Sequence, residues 1–268
     1  MADGLQITHK QRRRKALLGT LGIVFILAVS FCGWVYKAKT QRDLNRQLLQ
    51  SVLDEDAEAT RSLLKRGADP NIRNEPQQPL SLWQQIRYVF HKDSQTAQDK
   101  NATLLGMAMY SDSADTSEPV DVALIKTLLE AGARPDDCSD GHITPLMVAV
   151  QYDSPQAVWI LLDHGANPLA KDDDGRHPIH FMERDDPDAL TIADLLIKSG
   201  EDVNAADNFG RTALTNSCSY KNIRTIRFLI AHGADVNQGH KGSTPLSLTK
   251  SWGNKQIVRL LEAAGAKR

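Results

Sequence analysis

Few side chains in this chain could do chemistry. It holds eight histidines and three cysteines in 268 residues. No HExxH, no CxxC pair, no GxSxG and no phosphate-cradling GxxxxGK[ST] occurs, so no spacing builds a zinc site, a serine elbow or a nucleotide loop. The triplet Asp172-Asp173-Asp174 before Gly175 offers carboxylates to a cation. It lacks the spaced oxygens and distal Glu of a calcium loop, so it reads as a turn tip. No catalytic residue, metal or cofactor is expected. The aromatics point elsewhere. Tyr and Trp are the types that carry binding energy at protein interfaces, and Tyr110, Tyr152, Tyr220 and Trp252 recur in similar settings.

Those settings are repeats. Thr212 to Asn237 opens with a helix-entry tetrapeptide, runs through two short amphipathic segments and closes on Leu-Ile-x-x-Gly-Ala-Asp. Thr144-Pro145-Leu146, His177-Pro178-Ile179-His180 and Thr244-Pro245-Leu246 begin the same plan. The closing glycines Gly132, Gly165, Gly200, Gly233 and Gly265 lie 33, 35, 33 and 32 residues apart. A period near 33 with a Thr-Pro-Leu-His-type start resembles the ankyrin repeat. The resemblance covers roughly residues 41–268. It implies an all-α solenoid of about six helix-turn-helix repeats with short β-finger turns. It also implies that His180, His164 and His232 make structural hydrogen bonds, and that Cys218 fills a small core slot. Cys138 lies in a finger two repeats from Cys218, roughly 20 Å at ordinary helix spacing, too far for a disulfide.

The composition agrees with thin layers. Only 6% of residues are aromatic against 41% hydrophobic, which suits stacked helix pairs better than one thick core. Lys10, Arg12, Arg13, Arg14 and Lys15 stand against Asp3 in residues 1–15, a net +4 that leaves −5 for the chain after residue 36, given a formal total of −1. A mildly acidic body argues against nucleic acid as a partner.

Residues 16–36 carry no charge. Twenty-one such residues are enough for a helix to span a bilayer. The basic cluster before the run predicts a cytoplasmic tail over 1–15, a transmembrane helix over 16–36 and a translocated C-terminal body. In a Gram-negative bacterium this is an inner-membrane, single-pass protein with its repeats in the periplasm. The alternative is a cleaved signal peptide, with Ala28 and Ser30 as small residues before the cut, and a soluble periplasmic product.

The repeats begin with a terminal one over 41–73, where Leu44, Leu48, Leu49, Val52 and Leu53 form one stripe. The next is irregular. Gly67 to Thr103 takes 36 residues where other repeats take 11 or 12 from closing glycine to opening residue. An insert at about 74–100 places Leu82, Trp83, Ile86, Val89 and Phe90 on one helical face. It either packs on the first repeats or meets a partner.

In ankyrin-like repeats the end of the first helix and the finger tips line a concave surface. The resemblance puts Tyr110, Tyr152, Arg184 with Asp185, Tyr220 and Trp252 there, extended by Phe209, Arg211, His240 and Lys241. Trp83 and Phe90 of the insert are further candidates. The function expected is protein binding, for instance by an immunity protein that neutralises a secreted toxin such as a lipase. Alternatives are an assembly factor for an envelope enzyme and, from another class, an enzyme using Asp and His residues of the insert.

Overall fold

The computed structural model describes residues 30, 36–73, 103–109, 121–185, 187–239 and 244–267. The uncharged run over 16–36 and the insert over 74–100 lie almost wholly outside them. No helix among the described residues is long and apolar enough to cross a membrane.

Residues 36–53 form α1. Paired short helices follow: α2 (Ala57–Lys65), α3 (Leu104–Ala108), α4 (Val122–Glu130), α5 (Pro145–Gln151) and α6 (Pro155–Asp163). After a 3₁₀ turn at Pro178–Phe181 come α7 (Pro187–Lys198), α8 (Ala213–Tyr220), α9 (Ile223–Ala231), α10 (Pro245–Ser251) and α11 (Lys255–Ala263). The helices that open each repeat stack in one layer, with α3 on α5 and α8 on α10. The helices that close each repeat stack in a second layer, α2 on α4, α4 on α6, α6 on α7 and α7 on α9. One continuous core lies between the layers, from Leu48 through Leu128, Leu161 and Leu229 to Leu261. This is the all-α solenoid that the repeat spacing predicts. A lone helix pair cannot bury its apolar stripe, so burial comes from the neighbouring repeats.

Start signals are local. Thr103, Thr144, Thr212 and Thr244 each accept a backbone N–H three residues on, at 3.0–3.3 Å. Pro145 and Pro245 take first-turn positions that need no N–H. Stop signals repeat six times. The residue after the closing glycine donates its N–H to a carbonyl five positions back, as in Ala68 to Leu63, Ala166 to Leu161 and Ala234 to Leu229. Such a turn needs a left-handed residue, and Gly67 (φ +92°) and Gly233 (φ +90°) supply it.

Consecutive repeats are clamped side by side. Asn71 donates to the Gly132 carbonyl (3.1 Å) and accepts from Arg134 N–H (2.9 Å). Asn204 does the same to Gly233 and Asp235, and Asn237 to Gly265 and Lys267. Asp136 keeps the accepting half, from Asn167 N–H at 2.8 Å. Leu169 occupies the equivalent slot in the next repeat and offers neither donor nor acceptor. Its side chain is exposed. The fingers are linked as well: Asp173 N–H donates to Gly141 and Asn208 N–H to Asp174, at 3.0 and 2.9 Å. Gly175 (φ +72°) sits so close to Asn208 that a Cβ there would collide with it.

One expectation needs correction. The repeat that opens at His177 has no α-helical first segment, only the 3₁₀ turn, and Met182 leaves it in an extended conformation. Pro187 starts α7 early. The two extra residues between Gly165 and Gly200 accompany this longer second helix. A second correction concerns packing. Leu195 reads from sequence as a core residue, but it is only partly buried, while Leu196 is fully buried. Leu196 lies four residues before Gly200, the slot that Leu128, Leu161 and Leu229 fill before their own closing glycines.

Truncating Leu196 or Leu229 to Ala is therefore expected to destabilise the array by roughly 2–5 kcal/mol in urea titrations followed by circular dichroism. Leu195→Ala is expected to cost clearly less. Equal losses at Leu195 and Leu196 would contradict this packing.

Candidate functional site

Three first helices end alike. Tyr152 and Trp252 cap α5 and α10, and Tyr220 is the last residue of α8. The next residue has positive φ in each case: Asp153 (+52°), Lys221 (+64°) and Gly253 (+69°). This left-handed step reverses the chain and leaves the preceding aromatic at the helix edge. Tyr220 and Trp252 stay 49% and 46% exposed, and Phe209 on the adjoining finger 55%. Tyr152 differs: it is half-buried and packs against the core, so its slot is shared but its exposure is not. Tyr110, Lys241, Trp83 and Phe90 lie outside the described residues.

The polar groups around Tyr220 are organised. Its hydroxyl donates to Glu183 Oε1 at 3.2 Å. Burial and the Glu183 charge raise the phenol pKa, while Arg211 and Arg176 oppose the rise. Tyr220, Glu183, Arg176 and Arg211 thus share one electrostatic patch. Arg211 is held from below. Asp207 accepts from Arg211 N and Nε at 2.8 and 2.7 Å and from Phe209 N at 2.9 Å. The guanidinium lies over the Phe209 ring, 5.0 Å from its centre. Arg176 repeats the arrangement one finger earlier, with Asp172 as its acceptor and Phe181 as its ring. Arg176 and Glu183 are absent from the residues singled out by sequence. The spacing Asp172/Arg176 and Asp207/Arg211, four apart in successive fingers, is the signal that points to the arginine. The acidic triplet is explained by the same contacts: Asp172 shapes the finger, and Asp173 pairs with His142 at 2.6 Å. Among the described residues no cluster could hold a metal ion.

Arg184 and Asp185 make separate contacts. Arg184 is exposed and pairs with Asp153 (3.1 Å). Asp185 accepts from Arg224 and Thr225 N–H at 2.9 and 3.1 Å, so it caps α9 of the following repeat. Asn222, the helix's own N-cap, makes no capping bond. It donates instead to the carbonyls of Glu183 and Arg184. The extended segment after the 3₁₀ turn makes this exchange possible.

The histidines have structural partners. His180 Nδ1 accepts from His177 N–H at 3.0 Å, which leaves Nε2 to donate to the Arg211 carbonyl at 3.0 Å. His164 and His232 bond the carbonyls of Ile160 and Phe228. Cys138 and Cys218 are free, and burial raises the Cys218 thiol to about 12, which makes it inert at neutral pH. One pair breaks the repeat pattern twice. His177 stands where other repeats have Thr, and Glu201 where they have Ala. The two meet at 2.8 Å, with the Glu201 side chain fully buried and its Oε2 unbonded. Burial, then Asp202, raises Glu201 to about 8. Burial, then His180 and Lys171, lowers His177. Both shifts favour a neutral pair sharing one proton.

The family follows from the matches. The family model "Ankyrin repeats (3 copies)" matches residues 48–172, 113–207 and 182–267. The chain belongs to the ankyrin-repeat family. It is 35% identical to the ankyrin repeat protein nuc-2 of Neurospora crassa over 141 residues, 51% of this chain and 13% of that protein. It is 31% identical to the ankyrin repeat protein YahD of Escherichia coli over 153 residues, 54% of this chain and 75% of that one. The chain thus spans only a small part of the long fungal relative. The crystal structure of the ankyrin repeat domain of Bcl-3, of the IkappaB protein family, superposes with a TM-score of 0.62 at 23% identity, over 82% of this chain and 86% of that one. At that identity the likeness speaks for the fold alone. Ankyrin repeats are protein-interaction modules. The strip offers Phe209, Tyr220 and Trp252, while Trp159 on α6 and Tyr36 on α1 are exposed elsewhere.

The buried pair gives a pH dependence. The folded state keeps a proton on Glu201 that the unfolded chain has released above about pH 4.5, so stability falls as pH rises from there towards 8. His177 acts at the other end: below its ordinary 6.5 the unfolded imidazole takes up a proton that the buried one resists, so stability falls towards acid. Glu201→Gln removes the first effect. The melting temperature of the native protein relative to that variant is expected to drop steadily between pH 5 and 8. Parallel curves would mean that Glu201 is ionised in the fold.

Proposed function

We propose that this chain is a membrane-anchored ankyrin module that binds a partner protein along the strip of Phe209, Tyr220 and Trp252. The observation that carries the proposal is that Tyr220 and Trp252, one repeat apart in the same slot, are held about half exposed on fixed helix ends. Leaving large aromatics in water costs hydrophobic free energy that a partner recovers by covering them, and such residues dominate interface affinity. The layered repeats supply a rigid base, so little order has to be created on binding.

The anchor is the uncharged run over 16–36. Five basic residues before it support a cytoplasmic N-terminus and an exported repeat domain. The narrower reading is a periplasmic immunity protein whose partner is a secreted toxin such as a lipase. It draws support from the export orientation together with a binding face that has no chemistry of its own among the described residues.

Changing Tyr220 and Trp252 together to Ala is expected to weaken partner binding by at least about 2 kcal/mol, roughly thirtyfold, as read by calorimetry on the partner recovered from envelope extract. The melting temperature is expected to hold within about a degree, because surface substitutions of this kind cost little. A collapse in melting temperature would make these residues part of the core instead. Orientation is checked separately: alkaline phosphatase fused to the C-terminus is expected to be active, and an inactive fusion would overturn the export of the repeats.

A further inference from the structure

We infer that the partner reaches this strip with an acidic segment whose carboxylates are received by Arg176 and Arg211. The inference rests on the strip being the partner-binding face. Arg176 and Arg211 occupy the same slot of successive fingers, and each has its Nε spent on a carboxylate below, at 2.7 Å in both cases. Those carboxylates are buried: the side chains of Asp172 and Asp207 are 2% and 0% exposed, whereas the arginines are 32% and 48% exposed. Each guanidinium also lies on an aromatic face, 4.6 Å from the Phe181 ring centre and 5.0 Å from that of Phe209. The two cations are therefore fixed in place before any partner arrives.

What remains unspent is the outer edge of the Arg211 fork. Among the described residues the Nη groups of Arg211 make no hydrogen bond, while Arg176 Nη2 makes a long ion pair with Asp174, at 3.8 Å, that a partner carboxylate would have to replace. An arginine already stripped of rotamer freedom loses less entropy on accepting a ligand. The planar edge of a guanidinium matches the two oxygens of one carboxylate. The exposed ring of Phe209 beside Arg211, with Tyr220 and Trp252 nearby in the repeat plan, favours acidic residues set next to an apolar or aromatic one. Charge decides against a phosphate polyanion. The chain after residue 36 is net −5, and Asp173, Asp174 and Glu183 flank the pair. A dense polyanion meets their repulsion along its length, while single carboxylates seat locally on each arginine.

The test pans a phage-displayed random dodecapeptide library on the full-length chain in detergent. Enriched peptides are then measured by fluorescence polarisation, beside copies with Asp and Glu changed to Asn and Gln. Enriched peptides are expected to pair two acidic residues with an aromatic or aliphatic one, and their amide copies to bind at least about tenfold more weakly. Arg176→Lys with Arg211→Lys, confirmed folded by its melting curve, is expected to weaken the acidic peptides and leave the amide copies unchanged. Peptides that lose binding in the Tyr220→Ala, Trp252→Ala variant but tolerate amide substitution would keep the strip and overturn the acidic partner. Peptides indifferent to that variant, or no enrichment at all, would overturn the strip and this inference with it.

Discussion

The array depends on the clamp between one closing turn and the next. A glycine with φ near +90° ends each second helix and exposes a carbonyl and an N–H that the helix itself cannot use. The asparagine of the preceding repeat takes both, as Asn71, Asn204 and Asn237 do. A carboxamide carries a donor and an acceptor on one planar group, so a single side chain fixes the spacing and the rotation of neighbouring repeats. Apolar burial between the helix layers supplies the driving force. The clamp converts that non-directional force into a regular stack, on which slots recur in line.

The repeat that opens at His177 departs from this order in several places at once. Leu169 removes the clamp that would hold it. Its first helix shortens to a 3₁₀ turn. A buried His177–Glu201 pair replaces the usual Thr and Ala. New links replace the lost ones. Asp185 caps α9, Asn222 ties the extended segment, Asn216 donates to the His180 carbonyl at 3.1 Å and His180 reaches the Arg211 carbonyl. The irregular repeat is thus bound to its successor through side chains that touch the fingers and helices carrying the exposed aromatics. The aromatic strip and the irregular repeat are physically joined.

The aromatic strip uses what stacking leaves over. At the end of a first helix the left-handed residue must turn the chain, and the side chain before it is set at the helix edge, where Tyr152 still reaches the core and Tyr220 and Trp252 do not. Tyr220 and Trp252 stay at the surface. The fingers add donors because a buried aspartate organises the turn and, in doing so, pins an arginine above it. In Arg211 the Nε atom serves the finger, and the outer edge of the same guanidinium stays free of hydrogen bonds among the described residues.

Much of this was legible in the chain alone. The spacing of Gly132, Gly165, Gly200, Gly233 and Gly265 marks the repeats, because only glycine takes the left-handed turn without cost. Thr and Pro mark the helix starts through local bonds and fixed φ. Tyr220, Trp252 and Phe209 were visible as surface aromatics because a repeated register carries each slot's environment from one layer to the next. The tertiary structure decided the rest. It buries Tyr152 partway although its slot matches Tyr220. It turns Asp185 from a surface residue into the cap of a neighbouring helix, and it brings His177 onto Glu201, 24 residues away. A repeat pattern states what each layer shares. Contacts between unlike layers depend on where the chain departs from the pattern, and only the packed neighbours determine which groups then meet.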